Sequence, residues 1–113
     1  MAGKGKMTWV QHLLLKLGEE GSEISQGCNK SVIFGLQDVY THISHDGTRT
    51  IKSEMGTNQD RLEGELNDLM AVVEMLIDEG AIRPNWEVRA LKEAKKEKIL
   101  RYAGYSCEVG ILE

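Results

Sequence analysis

Acidic side chains occur in two groups whose spacing matches the α-helix. Glu19, Glu20 and Glu23 form the first group, and Glu65 and Asp68 form the second. Residues three or four positions apart lie on one side of a helix, so each group presents its carboxylates together. Clustered carboxylates require cations, and carboxylate oxygens suit hard divalent ions, so the groups indicate a site for Mg²⁺ or Mn²⁺. Such an ion would polarise a phosphoryl group and lower the pKa of a bound water.

These acids border or enter the apolar stripes of the helices that carry them. Glu20 falls in line with Leu17 and Ile24, whereas Glu65 and Asp68 each precede a leucine of an apolar seam. Burial of an ionised carboxylate without a partner is costly, which favours bound cations over an empty acidic core. The alternative is a solvated acidic face, because each motif taken alone is common on helix surfaces.

Three helices are predicted to position the acids. The first begins after Thr8, a residue suited to the N-cap, and stops at Gly35. The second begins with Asn58 as N-cap and ends before Gly80, and a third, basic helix runs over about 86–105. The seam of the second helix consists of Leu62, Leu66, Leu69, Val73 and Leu76.

The segment at about 40–53 differs from the helices in composition. It contains the run YTHISHDGTRTIK, which is rich in β-branched residues and has Asp46-Gly47, a preferred type I′ turn pair, at its centre. We therefore predict a short β-hairpin arm, with an irregular loop as the alternative. His42 and His45 of this segment are interpreted as surface residues, because zinc requires further suitable ligands nearby.

Length and charge limit the remaining possibilities. The 113 residues fit a single domain over 1–113, with loose tails at 1–6 and 106–113. A net charge of −4 argues against binding to duplex nucleic acid through counterion release. Neither a signal peptide nor an apolar run of ~20 residues is evident, so we expect a cytoplasmic protein without membrane contact. Cys28 and Cys107 form no recognisable metal or disulfide framework.

Taken together, the two acidic motifs resemble the MazG-like family of all-α nucleotide pyrophosphohydrolases. The family pattern is EExxE on one helix and ExxD on a later helix, and here it reads LGEEGSEISQG and LEGELNDLMAVVEML. The segment that ends the first helix, the asparagine that opens the second and the basic third helix also resemble the family. Outside the acids, the matching residues are Lys30, Phe34, Asn58, Lys95, Lys98 and Tyr102.

This resemblance implies an all-α helical bundle that is completed by oligomerisation, as a homodimer or homotetramer. It implies Mg²⁺-dependent cleavage of a nucleoside triphosphate to a monophosphate and pyrophosphate, with Mn²⁺ able to substitute. Glu20, Glu23, Glu65 and Asp68 would be the metal ligands, and Glu19 would be a ligand or would orient the water. The implied substrate-binding residues are Lys30, Phe34, Asn58, Lys95, Lys98 and Tyr102.

Two departures from the family pattern concern the substrate pocket. The stretch between Glu23 and Glu65 is longer than in compact members and includes the predicted hairpin, and Ile33 stands where relatives often place a basic residue. A purine deoxynucleotide such as dGTP is the expected substrate. Two alternatives remain: a non-enzymatic helical interaction module with an acidic surface, and a phosphohydrolase that acts on a phosphoribosyl substrate through the same metal site.

Overall fold

The computed structural model describes residues 5–39, 41–51, 54 and 56–113, and this part of the chain is mostly helical with one antiparallel hairpin. The predicted helical class and hairpin arm are thereby confirmed. None of the helices in the described ranges has both the length and the apolar character needed to cross a membrane. The chain divides into two compact units, Met1–Ile82 and Arg83–Glu113. In chain order the elements are α1 (Trp9–Phe34), β1 (Thr41–Ile43), β2 (Arg49–Ile51), α2 (Asn58–Asp78) and α3 (Arg89–Glu108).

Helix α1 has the two ends that the sequence predicts. The Thr8 hydroxyl accepts a hydrogen bond from the Gln11 backbone N–H, and the Gln11 side chain accepts one from the Thr8 N–H, which completes a capping box. At the other end, Gly35 has a φ of 98°, which a side chain would disfavour. Its N–H donates to the Ser31 carbonyl and closes the last turn.

Helix α2 starts from a different cap than predicted. Thr57, not Asn58, is the N-cap, because Asp60 lies three residues later and completes a capping box with Thr57. The Asn58 side chain is 4 % exposed and donates instead to the Gly35 carbonyl at 2.9 Å. It thereby ties the start of α2 to the end of α1. At its C-terminus α2 gives way to Gly80, whose φ of 72° agrees with the predicted stop.

Close packing of α1 against α2 forms the centre of the first unit. Gly27 is buried on α1, and a Cβ placed there would lie 3.5 Å from Leu62 Cδ1 on α2, so the two helices approach closely at this point. The buried hydrophobic residues of the described chain are few: Leu13, Val73 and Leu76. This small core holds the two acidic segments side by side.

The hairpin connection differs from the predicted type I′ turn. That turn requires positive φ at both Asp46 and Gly47, but only Gly47 has it, at 84°. Instead, the Gly47 N–H donates to the Ser44 carbonyl, and the Ser44 N–H donates to the Thr48 carbonyl. These bonds give a three-residue loop with a glycine bulge. Hydrogen bonds from Ser44 and Thr48 lower the pKa of the Asp46 carboxyl to about 2. The strand pairs are Thr41 with Ile51, His42 with Thr50, and Ile43 with Arg49.

In the second unit, α3 begins and ends three residues later than the sequence predicts. The Val88 N–H bonds to the Asn85 carbonyl, so the residues just before α3 form a turn. The first part of the predicted C-terminal tail is helical, and the helix stops near Gly110, which has a φ of 79°. There the Ile111 N–H donates to the Ser106 carbonyl and satisfies one of the last helical acceptors.

Candidate metal centre and the adjoining hairpin cavity

Three carboxylates from the two helices converge on one point. Glu20 of α1 and Glu65 and Asp68 of α2 each offer an oxygen atom, and these atoms all lie within 4.8 Å of one another. The spacing of Glu65 and Asp68 puts both on one side of α2, and the close approach at Gly27 brings α1 alongside. One side chain from the first acidic motif therefore meets both side chains of the second.

Two oxygen atoms of this group are buried without a hydrogen-bond partner in the described part of the chain. They are Glu20 Oε2 and Glu65 Oε2. Glu65 as a whole is 4 % exposed, and its Oε1 atom lies 3.1 Å from Arg61 Nη2. Buried carboxylate oxygens normally have partners, because their desolvation costs free energy that nothing else offsets. Three convergent carboxylates with two unsatisfied oxygens fit the coordination chemistry of a hard divalent cation.

The electrostatic environment of Glu65 shows the same lack of compensating charge. Hydrogen bonding with the Glu23 side chain and burial raise the pKa of Glu65 to about 7, and the negative charges of Glu23 and Glu20 add to the increase. The Arg61 guanidinium opposes them but does not cancel them. Without a metal ion, Glu65 therefore holds a proton up to about neutral pH.

The other two predicted acids lie outside the convergent group. Glu23 is exposed but contacts Glu65, and both line a small cleft. Glu19 is exposed and forms an ion pair with Lys16 at 3.1 Å, one turn earlier on α1. Glu23 is thus a neighbour of the candidate metal centre, whereas Glu19 is paired with Lys16. Their catalytic roles stay predictions.

A larger cavity of about 360 Å³ opens between the end of α1, the hairpin and the start of α2; we call it the hairpin cavity. Its volume falls in the range of about 300–1,000 Å³ that is usual for small-molecule sites. Three of the predicted substrate-binding residues, Lys30, Phe34 and Asn58, line it. Among the described residues, the cavity is lined by Lys30, Phe34, Asp38, Val39, Thr41, Ile43, Arg49, Ile51 and Asn58.

Lys30 connects this cavity to the acids. It also lines the small cleft that contains Glu23, Arg61 and Glu65. A ligand that spans both spaces would place one end beside the carboxylates and the other beside the hairpin. Lys30 and Arg61 would then lie along its length as the two cationic side chains of the cleft.

Sequence reasoning missed three charged residues of these two spaces: Asp38, Arg49 and Arg61. Arg61 lies four positions before Glu65, a spacing at which ion pairs form on helices, so a signal for it was present. The sequence does not indicate Asp38 or Arg49 as site residues, because both are distant in sequence from the acidic motifs. They line the same cavity only because the hairpin folds back.

The predicted basic contacts of the third helix belong to the second compact unit. Lys95, Lys98 and Tyr102 lie on α3 and are exposed. Their proposed contact with the substrate phosphates stays a prediction.

Comparisons with protein-family models, curated proteins and solved structures found no match to this chain. What the site can do therefore has to be inferred from its own residues.

Proposed function

We propose that this chain is a Mg²⁺-dependent nucleoside triphosphate pyrophosphohydrolase of the MazG-like kind, acting on the cytoplasmic nucleotide pool. The observation that carries the proposal is the convergence of Glu20, Glu65 and Asp68, with two buried oxygens that lack partners. The hairpin cavity supports it, because a pocket of suitable size adjoins the acids through Lys30. A solvated acidic surface, as in a non-enzymatic interaction module, would expose these oxygens to water.

In this proposal Glu20, Glu65 and Asp68 would hold the metal ion. A bound Mg²⁺ supplies positive charge to the phosphoryl oxygens and lowers the pKa of water. A water oxygen bonds to the α-phosphorus while the bond from that phosphorus to the α–β bridging oxygen breaks. Pyrophosphate leaves with the electron pair of that bond. Glu23, which is exposed and adjacent to Glu65, would accept the proton that the water releases.

The cationic residues of the cleft orient the substrate. Lys30 lies between the acids and the hairpin cavity, where an ammonium group would contact phosphate oxygens. Arg61 pairs with Glu65 through one guanidinium nitrogen and is part of the same cleft. Both side chains would therefore offset negative charge on the triphosphate as it approaches three carboxylates.

Release of pyrophosphate from a panel of nucleoside and deoxynucleoside triphosphates tests the proposal. We expect release that requires Mg²⁺ or Mn²⁺, is abolished by EDTA and yields no orthophosphate. Glu20→Gln and Asp68→Asn should each reduce kcat/KM by about 100-fold or more, since even residues that only support metal ligands contribute about 10–100-fold.

Glu74→Gln provides the matched control, because Glu74 is an exposed acid of α2 outside both cavities. Its activity and helicity should equal those of the unmodified chain. Undiminished activity in Glu20→Gln and Asp68→Asn would reject the site. No release from any triphosphate would favour the interaction module, and release only from a phosphoribosyl compound would favour that substrate class.

A further inference from the structure

We propose that the hairpin cavity recognises guanine. The Asp38 carboxylate would accept hydrogen bonds from N1–H and the N2 amino group, and the Arg49 guanidinium would donate to O6 and N7. This inference rests on the proposed function, since it assigns the base of the triphosphate whose phosphates would face the acids. It makes the hairpin, together with the segment that precedes it, the part of the molecule that selects the substrate.

Asp38 is anchored through its backbone, and its exposed carboxylate has no partner among the described residues. Its N–H donates to the Gly35 carbonyl at 3.3 Å, and its carbonyl accepts from the Asn58 N–H at 2.9 Å. The segment that carries it is therefore fixed to both α1 and α2. Within the described ranges the Asp38 carboxylate makes neither a hydrogen bond nor an ion pair, although it lines the hairpin cavity. A ligand in the cavity can take up both of its oxygens.

A carboxylate distinguishes the nucleobases by their adjacent donors. Guanine presents N1–H and the N2 amino group side by side, so it can satisfy both carboxylate oxygens at once. Adenine and cytosine present one amino group next to a ring nitrogen that accepts, and that lone pair would oppose the second oxygen. Thymine and uracil present a single N–H between two carbonyls. An unpartnered carboxylate in a base-sized pocket therefore favours guanine.

Arg49 matches the opposite edge of the same base. It lies on β2 opposite Ile43 and lines the hairpin cavity. Within the described ranges it forms no ion pair with Asp38 or any other acid. A guanidinium can donate two parallel hydrogen bonds to O6 and N7 of guanine, which is the commonest specific arginine contact to a base. One acidic and one basic side chain in the cavity thus correspond to the two edges of one purine.

Apolar side chains supply surfaces for the faces of the base. Phe34 is 51 % exposed, although it lines the cavity, and Ile51 is 65 % exposed. A planar base stacked on Phe34 would cover part of this surface and gain the free energy of aromatic stacking. Lys30, on the same cavity wall, connects the base position to the acid-containing cleft.

Comparison of dGTP with dITP tests the role of Asp38, because the hypoxanthine base lacks only the N2 amino group. The unmodified chain should prefer dGTP in kcat/KM by about 10-fold or more, the discrimination expected for one side of a bidentate contact. Asp38→Asn should reduce this ratio to near one, because an amide offers one acceptor and one donor. Glu74→Gln is the charge-matched control and should keep the preference.

Comparison of dGTP with 7-deaza-dGTP tests Arg49 in the same way. The analogue lacks the N7 acceptor, so the unmodified chain should prefer dGTP. Arg49→Lys keeps the charge but loses the planar fork, so the preference for dGTP over 7-deaza-dGTP should weaken. A ratio that is unchanged in Asp38→Asn or Arg49→Lys would overturn the assignment of that residue.

A binding measurement separates this inference from the proposed function. Titration of the full chain with dGMP and dIMP, followed by chemical shifts or calorimetry, requires no turnover. Tighter binding of dGMP, lost in Asp38→Asn, would support guanine recognition even if no triphosphate were cleaved. Equal affinity for both monophosphates, together with pyrophosphate release that does not depend on the base, would reject the inference and leave the hydrolase proposal standing.

Discussion

Among single residues, Glu65 has the environment least suited to a negative charge. It is 4 % exposed, adjoins Glu20 and Glu23, and has Arg61 as its counter-charge. A buried carboxylate in such surroundings is stabilised either by a proton or by a metal ion. The two cations should therefore compete, and this competition can be measured through stability.

The stability of the metal-free chain should fall as the pH rises from about 4.5 to about 7. Hydrogen bonding with the Glu23 side chain, burial, and the negative charges of Glu23 and Glu20 raise the folded-state pKa of Glu65 from its ordinary value of 4.5 to about 7, and Arg61 only partly offsets them. Between these values the folded chain keeps a proton that the unfolded chain releases, so each step up in pH favours unfolding. Urea unfolding in EDTA at several pH values measures this slope.

Two comparisons assign the slope to Glu65. Glu65→Gln cannot ionise, so its unfolding midpoint should vary less over the same pH range. Addition of Mg²⁺ at pH 7 should stabilise the unmodified chain more than the variant, because ligand binding to the folded state adds to stability. Identical pH slopes for the two proteins would show that Glu65 titrates normally.

At the level of elements, α1 contains glycines that the packing does not require. Gly18 lies in the interior of α1, and a Cβ there would meet nothing within 4 Å. Gly18→Ala should therefore raise the free energy of unfolding by about 0.5–1 kcal/mol, through lower backbone entropy in the unfolded chain. Thermal or urea unfolding followed by circular dichroism measures the change.

Gly35→Ala is the contrasting variant for this prediction. A Cβ at Gly35 also meets open space, but its φ of 98° is strained for alanine. The same substitution should therefore destabilise the chain there. Equal effects at positions 18 and 35 would contradict the backbone explanation.

The ends of the elements show what local sequence can and cannot specify. Thr8 and Gly35 were predictable because each acts on its own neighbours. The predicted N-cap of α2 was one residue too late, since Thr57 and Asn58 are both good caps and the distant carbonyl of Gly35 accepts a hydrogen bond from the Asn58 side chain. The hairpin was predictable from its composition, whereas its turn type depended on bonds across Ser44 that the dipeptide alone does not reveal.

For the whole molecule, the small core leaves apolar surface that a second copy would cover. Side chains on both helices of the first unit are about half exposed, among them Leu15 at 56 % and the seam residue Leu66 at 44 %. These exposed leucines give a second copy of the chain apolar surface to pack against. We propose a homodimer or homotetramer in which such faces pack together, consistent with the oligomeric bundle that the family resemblance implies.

Light scattering coupled to size exclusion tests this assembly. The mass should be a multiple of the 12.7 kDa chain, and Leu15→Gln should shift it toward the monomer while leaving the far-ultraviolet spectrum helical. Glu74→Gln should retain the assembly. A mass of one chain over a wide concentration range would exclude the proposed interface.

The same distinction between local and distant information applies to the site. The acids of α2 were predictable as a pair because helical spacing relates Glu65 to Asp68, and the family pattern added Glu20. That Glu20, rather than Glu19, meets them depends on the rotation of α1 against α2 at Gly27. The contribution of the hairpin to a cavity could not be predicted, because periodicity carries no information on where a loop folds back.

The hairpin occupies the chain between the two helices that carry the acids and contributes none of the convergent carboxylates. Its strands could accumulate substitutions at the cavity wall while the acids and the packing at Gly27 stayed as they are. Descendants of such a chain could change which ligand the cavity accepts by substitutions at a few exposed residues. A wall of this type would make ligand choice an evolutionarily separable trait, one that laboratory selection at positions 38 and 49 could redirect.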